Sequence, residues 1–301
     1  MSEIAPLLEV LAVAFAGGVF GACVGGVAAF SLCGLSALVG VAIRLAGGGP
    51  AFDAMVPWGP FLGPQAAFVG AVAAAALAGR RGLIASGRDV LAPLAPLGSL
   101  PVLLVGGVGG VIGQAVYLAI RANSASLPPP GLDAMAAAVA VSTLGIRLVL
   151  GRVGAFGIPG ACETRWKPSE ASLWIPAQSK LEHIALLAVA VAVPAAWLPG
   201  ALPGATGLVF ALSALSLAAL LAGHKVPVTL HMALAAETAV LVWGGWLAPV
   251  AAAVACGLLA EGFARLFLVY GDTHIDPPAW AIATTGVIMV LLVSLTGTGP
   301  A

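Results

Sequence analysis

The stretch GDTHIDPPAW (271–280) places Asp272, His274 and Asp276 within five residues, in a chain of which only 8% is charged. Alternate residues of an extended segment project to one side. The three are therefore expected to face a common space and form a gate that passes or binds protons or cations. Histidine titrates near neutrality, which suits a proton-coupled step. A structural role competes for Asp276, which is placed to cap a helix whose first position is Pro277. Three ligands without a fourth do not make a metal site, so no metal is expected, and no other cofactor.

Glu237 is the second candidate. It lies in HMALAAETAVLVWGG (231–245), inside a long apolar run. A carboxylate in hydrocarbon is expensive unless it is protonated, paired or facing water. Glu237 is thus expected to couple proton movement to solute movement near the membrane midplane. His231 and Thr238 stand two turns apart and extend the same polar stripe. Glu261 precedes Arg265 by one helical turn, the favourable order for an ion pair, and this pair is expected on the solute or ion pathway with Gln114. No nucleotide-binding loop, Ser-His-Asp arrangement or Cys-rich ligand set is present. The four cysteines (Cys23, Cys33, Cys162 and Cys256) are scattered, without metal or disulfide spacing. An enzyme is therefore not expected.

The elements that position these residues follow from composition. The chain has 301 residues, is 61% hydrophobic and holds 40 glycines, with a mean hydropathy of +1.10. Only hydrocarbon solvates such a surface. The expected fold class is all-α, a polytopic transmembrane helical bundle. About twenty apolar residues cross the hydrocarbon core. On that ruler the sequence predicts ten spans, at about 6–28, 29–46, 60–80, 98–120, 130–151, 181–199, 204–223, 227–245, 247–269 and 277–297. Residues 47–60 are a candidate re-entrant stretch. With zero formal net charge, nucleic acid is excluded as a partner. Membrane lipids and a small solute are expected instead.

The polar stretch 152–180 divides the chain into a repeat over 1–151 and a repeat over 181–301. FSLCGLSALVGVAIRLAG (30–47) resembles FALSALSLAALLAG (210–223), and GVIGQAVYLAIR (110–121) resembles GLLAEGFARLFL (257–268), with Gln114 opposite Glu261. The proline turns SLPPPG (126–131) and HIDPPA (274–279) follow, the first having lost all three ionisable groups of the second. Arginine and lysine fall mostly in alternate loops, so the positive-inside rule places both termini outside a cytoplasmic inner membrane. Five spans per repeat is odd, so the repeats must be inverted, a common construction among secondary transporters. The expected function is a secondary transporter or permease for a small solute, with protons as coupling ion. A channel or facilitator, or the membrane subunit of an ABC-type transporter, is the alternative. The chain is also expected to act as a homo-oligomer or beside a partner subunit. The turn HIDPPA resembles the His-Pro-Pro turn of HPP-type integral membrane proteins, interrupted here by Ile275 and Asp276. That likeness covers about a quarter of the chain and implies no activity.

Overall fold

The computed structural model describes residues 4–161 and 163–297; Cys162 lies outside them. Apolar runs become helices even where glycine or proline falls inside them, as Pro194 and Pro199 do in the helix Leu181–Ala201. In the first half these are α1 (Ile4–Val24), α2 (Gly26–Leu45), the short α3 (Ala51–Met55), α4 (Ala67–Arg80), α5 (Leu100–Ser124) and α6 (Ala134–Leu150). In the second half they are α7 (Leu181–Ala201), α8 (Leu208–Leu215), α9 (Ala218–Leu221), α10 (Leu230–Trp243), α11 (Leu247–Phe263) and α12 (Pro277–Thr296). The end of α11 widens into a π-helix over Ala264–Leu268. No strand occurs among the described residues.

Among the described residues, six helices are long and apolar enough to cross a membrane: Ala5–Val24, α2, α5, α7, Leu247–Leu268 and α12. The other four predicted spans are shorter. Ala67–Arg80 and Leu230–Trp243 have 14 residues each, about 21 Å of helix against a ~30 Å hydrocarbon core. Residues 204–223 break between α8 and α9, and α6 has 17 residues. The expected 60–80 span is helical only from Ala67, because residues 56–66 run as turns. Pro64 precedes α4 and Pro227 precedes α10, and proline disfavours helix in the residue before it.

The helix packing has a regular pattern. Within the first half α1, α4 and α5 pack on one another, α2 packs on α4, and α6 packs on both α4 and α5. Within the second half α7, α10 and α11 pack on one another, α8 packs on α10, and α12 packs on both α10 and α11. The principal contacts between halves are α2 with α8 and α6 with α12. The α2–α8 crossing lies at Gly34, where an added Cβ would stand 2.8 Å from the Ala214 Cβ. In the sequence likeness drawn above, those two residues are counterparts.

Small residues permit this closeness, as in membrane bundles generally. A Cβ on Gly18 of α1 would strike the Gly106 carbonyl of α5, and one on Gly70 of α4 would strike Gly18. The GGVGG run (106–110) is therefore a packing surface. The outward residues are apolar, with Leu247 at 89% and Leu295 at 83% exposure, as a lipid-facing surface requires.

Replacing Gly18 by Leu should lower stability by about 3 kcal/mol, the upper part of the overpacking range. The check is a lower thermal midpoint in detergent, while Leu295→Ala, at an outward position, stays within ~0.5 kcal/mol.

Candidate functional site

Two stretches of irregular backbone lie inside the bundle, and buried amides satisfy them. Gln65, fully buried, donates from Nε2 to the Trp58 and Gly59 carbonyls (3.3 Å each) and to Gln114 Oε1 at 3.1 Å. Gln178 donates to the Val228 carbonyl at 2.7 Å and accepts from the Val228 amide at 2.8 Å. Free amides and carbonyls in hydrocarbon cost several kcal/mol each. These side chains therefore hold open the approach to α4 and to α10.

Between the halves lies a cavity of about 870 Å³. Phe30 of α2 and Phe210 of α8 both line it, as do Trp58, Phe68 and Trp174. Its polar wall includes Arg88, Asp89, Asp133, His274 and Asp276. Asp133 caps α6 by accepting from the Ala136 amide at 2.8 Å, and Asp276 caps α12 by accepting from the Ala279 amide at 2.8 Å. Ala136 and Ala279, three residues on, line the cavity, and so do Val139 and Ile282, six residues on. Asp133 is thus the positional counterpart of Asp276. SLPPPG itself holds no ionisable group, and Asp133 lies just beyond it.

The three residues of the expected gate do not face one space. His274 Nε2 stands 3.3 Å from Asp276 Oδ1, and its ring meets Phe68 edge-on at 5.6 Å. Asp272 turns away. It accepts from the Arg152 amide at 2.6 Å and stands 3.6 Å from Arg147 Nε. The cause is Arg147, a fully buried guanidinium on α6. It donates to Thr273 Oγ1 at 2.5 Å, to the Phe267 carbonyl at 3.1 Å, to the Ala155 carbonyl at 3.2 Å, and to the Thr273 carbonyl. Arg88 reaches the Val269 carbonyl at 2.5 Å and Arg165 the Leu266 carbonyl at 2.9 Å. The free carbonyls at the end of α11 are thus met by three cations, as a helix C-terminus favours.

Glu237 is buried but does not line the cavity. Its Oε1 accepts from the Val209 and Phe210 amides at 3.1 and 3.3 Å, capping the start of α8 across the interior. Glu261 and Arg265 form the expected ion pair at 2.7 Å. Arg265 also donates to the Trp166 carbonyl at 2.8 Å and the Ser179 carbonyl at 3.3 Å, so the pair fastens the connecting loop. His231 is fully buried outside the cavity, and its backbone carbonyl accepts from Cys256. Thr238 lines a separate small cavity of about 140 Å³, which also touches Asp133. In the connecting loop, hydrogen bonds from Ser169 and Ser172 hold the Glu163 carboxyl below its ordinary pKa. No group of three or more His, Cys, Asp or Glu able to hold a metal occurs among the described residues.

The chain belongs to DUF7973, a family of unknown function, whose model matches residues 2–157 and 162–298. Among curated proteins and among solved structures, nothing matches it.

Two substitutions test these assignments in thermal unfolding. Arg147→Met leaves the Thr273, Phe267 and Ala155 carbonyls without their donor and should cost about 1–3 kcal/mol, the range for an orphaned buried group. Glu237→Gln keeps an acceptor and should stay near the parent, whereas Glu237→Leu should lose about 1–3 kcal/mol for its orphaned amides.

Proposed function

We propose that this protein is a secondary transporter of a small solute, built from two inverted five-helix repeats, with the cavity between the halves as its binding site. The observation that carries the reading is the cavity itself: about 870 Å³, walled from both halves at matching positions, with a capping aspartate from each. Pockets of roughly 300–1,000 Å³ suit small molecules. The duplication is supported by the helix packing, which pairs α2 with α8 and α6 with α12 across the halves. It is supported too by the break between the two family matches, at 158–161, inside the polar stretch that divides the sequence. Counted as ten crossings, with the four shorter helices included, each half is odd in number, and an odd repeat returns upside down.

The arginines support the orientation. Arg80, Arg88, Arg147, Arg152, Arg165 and Arg265 bond into one end of the bundle, around residues 149–179 and 265–273. Arg44 bonds at the other end, to Asp53 and the Thr206 carbonyl. The arginine-rich end is cytoplasmic by the positive-inside rule, and both termini lie outside. Protons couple through the His274–Asp276 pair and Asp133, which face the cavity. Glu237, Glu261 and Arg265 brace the helices that move. Rocking of one repeat against the other changes which end of the cavity is open.

The test is thiol access in sealed vesicles. With the native cysteines replaced, single cysteines at Val90 and at Leu234 report on the cavity wall. An impermeant reagent should label each from either face, but never from both faces in one locked state. Simultaneous labelling from both faces describes a channel and overturns the carrier; protection from both faces under every condition overturns a transport cavity.

A further inference from the structure

We infer, resting on the carrier reading above, that the solute is an amphiphilic monocation: an apolar body carrying one ammonium-type head. The charges on the cavity wall point that way. Arg88 is committed to the Leu268 and Val269 carbonyls at 3.4 and 2.5 Å. Asp89 accepts from the Leu91 and Ala92 amides at 2.9 and 3.1 Å through one oxygen, Oδ1. Two further carboxylates on the wall, Asp133 and Asp276, each place one oxygen on their own helix cap, and the other oxygen of Asp276 stands 3.3 Å from His274 Nε2. The wall thus carries three carboxylates against one guanidinium, and an excess of negative charge in an apolar enclosure repels an anionic solute and draws a cation, with field lines focused by the low-dielectric walls.

The remaining wall fixes the body. Phe30, Trp58, Trp174 and Phe210 present ring surface, which desolvates an apolar group and favours a cation over a ring face. A bare inorganic ion leaves that surface unmatched. The two capping carboxylates also stand far apart. A Cβ on Gly286 would lie 3.7 Å from the Asp133 amide nitrogen, and Gly286 follows Asp276 by ten residues. That is roughly 15 Å along α12 at 1.5 Å per residue. One head group therefore engages one aspartate at a time. Asp276 is the partner toward the arginine-rich end and Asp133 the partner toward the other. Transport passes the head from one to the other.

The experiment measures binding to the full chain in lipid nanodiscs, with empty discs subtracted, by calorimetry and by tryptophan fluorescence. The probes share one body and differ in head charge: 4-phenylbutylamine, 4-phenylbutanol and 4-phenylbutyrate. The amine should bind at least tenfold tighter than the alcohol, and the acid weakest. Asp133→Asn and Asp276→Asn keep a capping side chain. Each should weaken the amine three- to tenfold and leave the alcohol unchanged. The inference is overturned if alcohol or acid matches the amine, or if the Asn variants weaken alcohol and amine alike. Failure of this ranking with one-face-at-a-time labelling intact removes the cationic solute and leaves the carrier. Success of the ranking with simultaneous two-face labelling keeps the cation site and removes the carrier.

Discussion

Backbone amides and carbonyls inside hydrocarbon have no water to turn to, so every departure from helix must be met by a side chain of the same protein. Four of this chain's buried polar residues serve that need. Gln65 holds the turn at 58–59, Gln178 holds Val228, Glu237 holds the first amides of α8, and Arg147 holds the turn at Thr273. The irregular backbone they support is what leaves room at the centre. Continuous helices through α4 and α10 would fill the space now bounded by Trp58, Pro64 and Val228. The cavity therefore exists because a few polar groups carry the cost of breaking helices at depth.

The same constraint explains how so few charges are deployed. Most of the arginines with bonded partners sit on helix carbonyls rather than on carboxylates: Arg80 on Val149 and Leu150, Arg88 on Leu268 and Val269, Arg165 on Arg265 and Leu266. Three carboxylates, Asp133, Asp276 and Glu237, do the converse and cap helix starts. Asp133 and Asp276 do both things at once, terminating a helix and presenting charge to the cavity. Their position follows from the capping requirement, since a helix that begins inside the bundle needs an acceptor there. The proposed function draws on groups the fold already needs.

Much of this was legible in the residues and some was not. The apolar runs mark the helices, Asp276-Pro-Pro marks the start of α12, and the spacing of Glu261 and Arg265 marks their pair. The short α4 and α10 were missed because hydropathy counts apolar residues, whether they are helical or not. The sequence marks Arg147 only as a charge near a span end, since its partner Thr273 is 126 residues away. Its grip on that turn divides Asp272 from His274 and Asp276. A likeness drawn on the prolines leaves Asp133 outside the matched turn. Drawn on the capping aspartates, the two turns match: an Asp, then Ala at the third position and an aliphatic residue at the sixth. Glu237 was rightly marked as unusual, but burial alone does not distinguish a carboxylate that titrates from one that caps.

Inversion of the two repeats is the claim on which transport rests, and the loops after α2 and α9 report it most directly. Both begin with a left-handed glycine, Gly47 and Gly223, and LAG precedes each loop (45–47 and 221–223). A protease site inserted after Gly49 in one variant and after His224 in another would be probed with protease outside sealed vesicles of known orientation. The account predicts cleavage of the first from the outer face only and of the second from the cytoplasmic face only. Cleavage of both from one face would contradict it.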